Sequence, residues 1–278
     1  MVHHISSGQL KIAKVFTHKV ADTHKKYVDT EKNILAALDG LFPFTIGLHF
    51  LAKDPERLYL IMPLVPGGNL FDLLYAKGPL GEQSTLFYSS QVVLALEFLH
   101  ATGFVHRDLK PENLFIDANG YLRLADFGMV KMIGRGRTYT FCGTPEYMAP
   151  EIITFKGYGQ SVDFWSLGVL IYELNVGRTP FEGSDVREVF ENALNINFRL
   201  DNNFSPQLKS LLQRMLEVDL SKRYGNLKNG ILDIKKHPWF RPINWLLIIN
   251  QKMEAPLKPN IEFFQYGINR KETEFVDF

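Results

Sequence analysis

Residues His106–Gly128 read HRDLKPENLFIDANGYLRLADFG, and the organisation of the whole chain follows from this stretch. It contains two short apolar-rich runs, Leu114–Ile116 and Tyr121–Leu124, separated by the sequence Asp-Ala-Asn-Gly. An Asn-Gly pair supplies the positive φ of a tight hairpin turn, so we expect the two runs to pair antiparallel. The hairpin then holds the loop that precedes it beside the loop that follows it.

Four polar side chains of this stretch suit phosphate chemistry. Asp108, Lys110 and Asn113 precede the hairpin, and Asp126 follows it. A carboxylate and an amide oxygen, from Asp126 and Asn113, suit Mg²⁺, which takes oxygen ligands and accepts substrate phosphates as the others. Asp108 is then left to orient or accept a hydroxyl proton, and Lys110 offsets charge on a transferring phosphoryl group.

The composition sets the broad class of protein. A chain of 278 residues is near the upper limit for one core, so two lobes are expected. With 31 Lys and Arg against 30 Asp and Glu, the balanced charge argues against nucleic acid as a partner. The single cysteine, Cys142, suits a reducing compartment, and we expect the cytoplasm, with the nucleus as the alternative. The apolar run at Trp245–Ile249 is too short to span a bilayer, and the first residues lack a signal-peptide pattern.

Residues His106–Gly128 resemble the catalytic loop and metal-binding loop of the eukaryotic protein kinases. Two downstream motifs, Thr144-Pro145-Glu146 and Ala149-Pro150-Glu151, extend this resemblance. It implies an α+β, bilobal fold with a small β lobe and a larger, mostly helical lobe. The implied divisions are a small lobe at residues 1–64, a catalytic lobe at 65–240 and a C-terminal tail at 241–278.

The small lobe has the patterns of strands and one helix. The helix is predicted at Asp22–Leu38, with Asp22 or Thr23 as its cap. Strands are predicted at Leu10–Phe16, Gly47–Ala52 and Leu58–Val65.

The resemblance assigns an ATP site to the small lobe and the hinge. Lys14 stands at the position of the nucleotide-anchoring lysine, and Glu31 at that of the helix glutamate that pairs with it. Ile12 replaces the small residue that lies against adenine and adds bulk there. The other residues placed around ATP are Met62, Pro63 and Val65 of the hinge, Phe115, and Asp126.

The segment before Lys14 is short for this fold. Thirteen residues precede Lys14, and Gly8 is their only glycine. A glycine-rich loop between two strands of about 5–6 residues each does not fit there, so we expect a truncated small lobe without the first strand and that loop. His3 and His4 are interpreted as a strand end or tail, with a metal site as the alternative.

The catalytic lobe has strong helix signals. Ser161 is expected to cap a helix at Val162–Val176, which is apolar on nearly all sides and therefore buried. Ser205-Pro206 is the start of another helix. Two earlier helices are predicted at Leu70–Tyr75 and Ser84–His100.

The resemblance also implies an activation segment within Met129–Glu151. Thr140 matches a phosphorylated threonine, whose phosphate is expected to gather Arg107 and Lys131. An unmodified loop threonine is the alternative. The histidine that contacts this phosphate in the family is Tyr27 here, which predicts weaker coupling to the small-lobe helix.

Further matches concern the support of the catalytic loop. Thr144 matches the hydroxyl that bonds Asp108 and Lys110. Glu151 and Arg223 match a bracing ion pair, and Asp163 matches the helix carboxylate that fixes the catalytic-loop backbone. Cys142 is interpreted as a packing residue, with a redox switch as the alternative.

Substrate selection is expected to depend on acidic side chains. By resemblance, Glu112 and Glu173 bind a basic residue two positions before the target. Asn69 stands where the family reads an arginine three positions before it, and a neutral amide loses that charge-assisted contact. The residue after the target is expected in an apolar pocket formed by Phe141, Pro145 and Met148.

The C-terminal part narrows the resemblance to the AGC group, closest to the cyclic-GMP- and cyclic-AMP-dependent kinases. The motifs are YGNLKNG at 224–230, HPWF at 237–240 and FVDF at 275–278, the last of which is expected to dock on the small lobe. The implied partners are an upstream activating kinase and a regulatory subunit or a regulatory domain missing from the chain.

The sequence therefore predicts a serine/threonine protein kinase that uses ATP and Mg²⁺ on protein substrates with basic residues upstream of the target. One alternative is a catalytically weak scaffold that binds protein partners through its large lobe. Another is a small-molecule kinase, which the peptide-positioning motif disfavours. Neither nucleic-acid binding nor a membrane span is expected.

Overall fold

The computed structural model describes residues 2–4, 9–134 and 136–259. The small-lobe strands are β1 (Val2–His4), β2 (Gln9–Thr17), β3 (Phe50–Lys53) and β4 (Arg57–Pro63). They form an antiparallel sheet in the order β1-β2-β4-β3. β2 pairs with β4 along its length, which places Lys14 opposite Leu60 and Ile12 opposite Met62.

Two helices follow β2 where the sequence predicts one, namely α1 (His18–Thr23) and α2 (Lys25–Leu38). The side chain of Thr17 caps α1 by accepting a backbone hydrogen bond at 3.3 Å. His24 ends α1 and precedes α2, and its side chain makes no capping bond. The predicted cap at Asp22 or Thr23 is therefore wrong, because both residues lie inside α1.

The later small-lobe strands are shorter or shifted relative to their predicted ranges. The strand predicted at Gly47–Ala52 begins at Phe50, because the backbone of Leu48 bonds to the Leu35 carbonyl of α2 at 3.0 Å instead of joining the sheet. The strand predicted at Leu58–Val65 ends at Pro63, whose nitrogen has no proton to continue the ladder.

The large lobe is mostly helical. Its helices are α3 (Leu70–Lys77), α4 (Gly81–Ala101), α5 (Pro150–Ile153), α6 (Ser161–Val176), α7 (Val186–Leu194), α8 (Pro206–Met215), α9 (Ile231–Lys235) and α10 (Trp245–Ile249). Its short strands are β5 (Phe104–Val105), β6 (Leu114–Ile116), β7 (Leu122–Leu124) and β8 (Lys131–Met132).

Helix α6 is the buried axis of this lobe, as its apolar sequence predicts. Its predicted cap is wrong, since Ser161 is the first helical residue and Gln160 precedes it without a side-chain capping bond. The Ser161 hydroxyl instead donates to Glu151 at 3.2 Å. The cap predicted at Ser205 is confirmed, because its hydroxyl accepts from the Leu208 N–H at 3.1 Å.

The β6–β7 hairpin forms as predicted, with Leu114 opposite Leu124. Its turn needs positive φ at one residue, Gly120, where φ is 85°. Asn119 does not have a positive φ, and the Asp117 side chain stabilises the turn by accepting from its N–H at 2.9 Å. The Leu124 N–H also donates to the Phe44 carbonyl at 2.8 Å, which joins the hairpin to the small-lobe connection.

The main apolar core extends from α2 and β4 through α4 to α6 and α8, and a smaller apolar cluster in the small-lobe sheet contains Ala52, Tyr59 and Ile61. No helix within residues 2–4, 9–134 and 136–259 is long and apolar enough to cross a bilayer. The docking predicted for the FVDF motif falls on residues outside the described part of the chain.

Candidate active site

One buried carboxylate of α6 holds the backbone of the catalytic loop in place. Asp163 of α6 accepts from the backbone N–H groups of His106 and Arg107, both at 2.8 Å, and pairs with His100 Nε2 at 2.7 Å. Burial opposes the charge of Asp163, but the hydrogen bond and charge of His100 and the backbone donors outweigh it and hold its pKa below the usual range. Arg107 has a φ of 72°, so this anchored turn keeps the loop in a conformation that a non-glycine residue rarely adopts.

A hydroxyl joins the two residues assigned to proton and phosphoryl chemistry. Thr144 Oγ1 donates to Asp108 Oδ1 at 2.7 Å and accepts from Lys110 Nζ at 2.8 Å. Lys110 Nζ lies 3.2 Å from Asp108 Oδ2. Asn113 Nδ2 donates to the Asp108 carbonyl at 2.8 Å and to its Oδ2 at 3.2 Å, which turns the amide oxygen of Asn113 to the other side. The four residues predicted as catalytic therefore lie together.

Lys14, the residue predicted to anchor the nucleotide, connects both lobes. Lys14 of β2 donates to Glu31 Oε1 of α2 at 2.7 Å and to Asp126 Oδ1 at 2.8 Å. Burial opposes the charge of Lys14, but its two carboxylate partners outweigh burial and raise its pKa. The same ammonium outweighs burial at Asp126 and lowers the pKa of that carboxyl. Lys14 and Asp126 are therefore both ionised at neutral pH.

The residues predicted around adenine belong to β2, to β4 and the segment after it, and to β6. Ile12 on β2 pairs with Met62 on β4, so the branched side chain of Ile12 is on the strand next to the predicted hinge. Met62 and Val65 are buried and Pro63 is half-buried, whereas Phe115 pairs with Asn69 in an isolated bridge on the large-lobe side.

The structure offers a partial oxygen set for a cation. Among the described residues, no group of three or more His, Cys, Asp or Glu could form a closed metal cage. Asn113 and Asp126 alone leave most positions to phosphates and water, which suits Mg²⁺. The backbone of His3 and His4 forms β1 as predicted, and the side chains of these residues lie outside the described part.

A cavity of about 330 Å³ lies between α2 and the activation segment. Its lining includes Thr140 and three basic side chains, from Lys26, Arg107 and Lys131. Lys131 Nζ donates to Thr138 Oγ1 at 2.7 Å, and that oxygen lies 3.3 Å from Thr140 Oγ1. Lys26 was not predicted from the sequence, because a lysine on an exposed helix face gives no signal of its own.

The predicted substrate residues lie on two surfaces. Glu112 and Glu173 line one cavity together with Glu146 and Glu182, two carboxylates that the sequence did not single out. Asn69 caps α3 by accepting from the Asp72 N–H at 2.8 Å, so its amide oxygen is engaged within the helix.

The predicted apolar pocket includes two unforeseen aromatic neighbours. Phe141 stacks on Phe155 at 5.1 Å between ring centroids and packs edge-on against Phe190 at 6.1 Å. Met148 is buried, and Pro145 begins a 3₁₀ turn. No periodic pattern marks Phe155, since it lies in a turn with a φ of 54°.

The remaining supports lie where the resemblance placed them. Arg223 binds Glu151 through two hydrogen bonds of 2.6 and 2.9 Å, and both side chains are buried. The guanidinium also lies over the Trp165 ring at 5.0 Å. Cys142 is half-buried, with its sulfur 3.6 Å from the Tyr158 hydroxyl.

Fold and site together define a protein kinase domain. Residues 1–240 match the family model described as "Protein kinase domain", so the chain belongs to that family. The predicted α+β, bilobal kinase fold is confirmed, as is the assignment to serine/threonine kinases of the AGC type. The divisions at residues 64 and 240 stay predictions.

The chain is similar to kinases named for cyclic AMP. It is 42% identical over 253 residues to "cAMP-dependent protein kinase catalytic subunit 2" of Drosophila melanogaster, covering 90% of this chain and 71% of the relative. It is 39% identical over 253 residues to "cAMP-dependent protein kinase, catalytic subunit-like" of Caenorhabditis elegans, covering 91% and 62%. It is also 39% identical over 237 residues to "cAMP-dependent protein kinase catalytic subunit PRKX" of Homo sapiens, covering 85% and 65%. The chain thus spans about two thirds of these relatives.

Proposed function

We propose that this chain transfers the γ-phosphoryl group of ATP to serine or threonine in proteins that carry basic residues upstream of the target. The observation that carries the proposal is the Thr144 hydroxyl, which holds Asp108 and Lys110 together at 2.7 and 2.8 Å. This contact places a proton acceptor and a cation side by side, which is the arrangement that phosphoryl transfer to a hydroxyl needs.

Each polar residue of the cleft has a separate task in this proposal. Asp108 orients the substrate hydroxyl and accepts its proton, while Lys110 offsets negative charge on the transferring phosphoryl group. Asn113 and Asp126 hold Mg²⁺, which when bound neutralises charge on the phosphates. Lys14 exchanges its contact with Asp126 for the α- and β-phosphates and keeps its contact with Glu31.

Regulation is proposed at Thr140. A phosphate there carries close to two negative charges and finds Arg107, Lys131 and Lys26 around the same cavity. An upstream kinase adds that phosphate, and a regulatory subunit or domain controls access to the site. These partners follow from the resemblance to the cyclic-nucleotide-dependent kinases, and a cytoplasmic or nuclear location follows from the single cysteine, Cys142, which suits a reducing compartment.

A second candidate function is a weakly active scaffold that binds protein partners. Ile12 favours it, because a branched side chain on β2 opposite Met62 occupies volume where adenine is expected. The contacts of Asp108, Lys110 and Asn113 favour the enzyme, because a scaffold has no use for this arrangement.

The test is a thermal-shift titration of the 278-residue chain with ATP, with and without Mg²⁺. A ligand that binds the folded state alone raises the melting temperature as its concentration increases. We expect a Mg²⁺-dependent rise for the wild type and for Cys142→Ser, and none for Asp126→Ala. Equal rises in wild type and Asp126→Ala contradict the metal assignment, and no rise in any of the three favours the scaffold.

Phosphorylation of basic peptides is the second stage of the test. We expect a peptide with arginine two positions before serine to be phosphorylated faster than the matching alanine peptide. Equal rates contradict the basic preference while leaving the kinase assignment intact.

A further inference from the structure

The cavity beside the catalytic loop carries an unusual concentration of carboxylates. It has a volume of about 420 Å³, and four glutamates line it, which we call the acidic cavity. They come from separate parts of the large lobe: Glu112, Glu146, Glu173 and Glu182. The basic side chain of its lining, Arg178, forms an exposed ion pair with Glu182 at 2.9 Å. Among the residues that the structure describes, Glu112 and Glu146 form no ion pair with a basic side chain, and the ammonium of Lys110 binds Thr144 of the lining at 2.8 Å.

Glu173 differs from the other three because it is buried. Its exposed fraction is 8%, and it lies near the C-terminal end of α6. The Tyr147 hydroxyl donates a hydrogen bond to its Oε2. Within the described part of the chain, Glu173 forms no ion pair with a basic side chain. A buried carboxylate without a cation is costly to ionise.

Burial and the neighbouring carboxylates all raise the pKa of Glu173. Burial has the largest effect, and the charges of Glu112, Glu146 and Glu182 add to it, which together raise the pKa of Glu173 to about 8. The hydroxyl of Tyr147 and the guanidinium of Arg178, already paired with Glu182, do not reverse this. Most molecules therefore carry a proton on Glu173 at neutral pH.

A protonated carboxyl cannot form the charge-assisted pair that a guanidinium or ammonium requires. We infer that Glu173 accepts the basic side chain of a substrate only as it releases its own proton, so that substrate binding in the acidic cavity is coupled to proton release. The proton passes to solvent, and the substrate cation replaces it as the partner of the carboxylate. This inference rests on the proposed basic preference and adds a proton linkage to it.

The linkage predicts that the affinity for a peptide depends on pH only when the peptide carries the basic residue. When the bound carboxylate is ionised and the unbound one has a pKa of about 8, affinity rises about tenfold between pH 7 and pH 9. A peptide without the basic residue does not need the ionised form. The difference in affinity between the two peptides therefore excludes the contribution of groups that titrate elsewhere in the cleft.

The experiment is isothermal titration of the chain with two peptides that differ at one position, arginine or alanine two before the target. Titrations in phosphate and in Tris buffer at pH 7 give the number of protons released, because the two buffers differ in ionisation enthalpy. We expect close to one extra proton for the arginine peptide, and about tenfold tighter binding of it at pH 9. Glu173→Gln should abolish both differences. Glu191→Gln, an exposed carboxylate outside the cavity, is the matched control and should retain both.

The outcomes separate the inference from the proposed function. Preferential binding of the arginine peptide without extra proton release overturns the inference and leaves the basic preference standing. Equal binding of both peptides at each pH overturns the basic preference and the inference with it. Proton release that persists in Glu173→Gln assigns the linkage to another group and also overturns the inference.

Discussion

Two buried carboxylates of helix α6, Asp163 and Glu173, lie ten residues apart and have opposite ionisation. Asp163 is fully buried, yet His100 and two backbone N–H groups stabilise its charge and lower its pKa. Glu173 is buried among other carboxylates, and its pKa is raised. Burial is common to both, so the neighbours decide the sign of the shift.

The ionisation of Glu173 makes the stability of the fold depend on pH, and Glu173→Gln removes that dependence. The folded-state pKa of Glu173 is above its unfolded value, so its contribution to stability is complete below about pH 4.5 and is lost as pH rises through about 8. We expect Glu173→Gln to gain stability relative to wild type as the pH rises across this range, by on the order of a few kcal/mol at pH 8, because glutamine has no proton to lose. Melting temperatures measured from pH 5 to pH 9 test this, with Glu191→Gln as control. If the difference in melting temperature between Glu173→Gln and wild type does not change with pH, the raised pKa of Glu173 is contradicted.

Among the elements, α2 connects the proposed ATP site to the proposed activation segment. Glu31 lies on its buried face and binds Lys14, while Lys26, five residues earlier, lines the cavity of Thr140. The two positions are about one and a half turns apart, so displacement of one end of this rigid segment moves the other. Tyr27 replaces the family histidine, and Lys26 brings a positive charge to the same place.

We therefore expect Lys26→Met to weaken the effect of Thr140 phosphorylation. Phosphorylation of Thr140 should raise the melting temperature of the variant less than it raises that of wild type. The phosphorylated variant should also have a KM for ATP about two- to fivefold higher than phosphorylated wild type, as expected for loss of a partly exposed charge pair. The unphosphorylated proteins should not differ. Lys25→Met is the matched control, because Lys25 is exposed and does not line the cavity. Identical behaviour of the two phosphorylated variants contradicts a role for Lys26.

For the whole molecule, the pair Glu151–Arg223 joins the end of the activation segment to the C-terminal part of the large lobe. The two residues are 72 positions apart in sequence, and both side chains are buried. Trp165 of α6 lies beneath the guanidinium at 5.0 Å, so three separate parts of the lobe meet at one cation.

We expect Arg223→Met to destabilise the chain by about 3–5 kcal/mol, because it leaves Glu151 buried without its partner. Chemical denaturation measures this loss. Arg187→Met removes an exposed pair with Glu191 and should leave stability unchanged. The double variant Glu151→Gln, Arg223→Met should recover part of the loss, since the uncompensated charge is gone. A double variant less stable than Arg223→Met would contradict this explanation.

The sequence by itself determined the class of fold and the residues of the catalytic loop, because their chemistry needs fixed residue types at short spacing. Asp108, Lys110 and Asn113 lie within one turn-rich segment, and the β6–β7 hairpin delivers Asp126 to the same place. The hairpin, the α6 helix and the cap at Ser205 were predictable for the same reason: each depends on neighbours in sequence.

The tertiary structure alone decided which distant side chains share a cavity, and with them the charge of each site. The break between α1 and α2 and the late start of β3 follow from contacts that local propensity does not contain. Lys26 joined the surroundings of Thr140, and Glu146 and Glu182 joined those of Glu173, through packing of separate elements. Ionisation depends on burial and on charges within a few ångströms, so the proton on Glu173 is a property of the folded molecule and not of the sequence pattern.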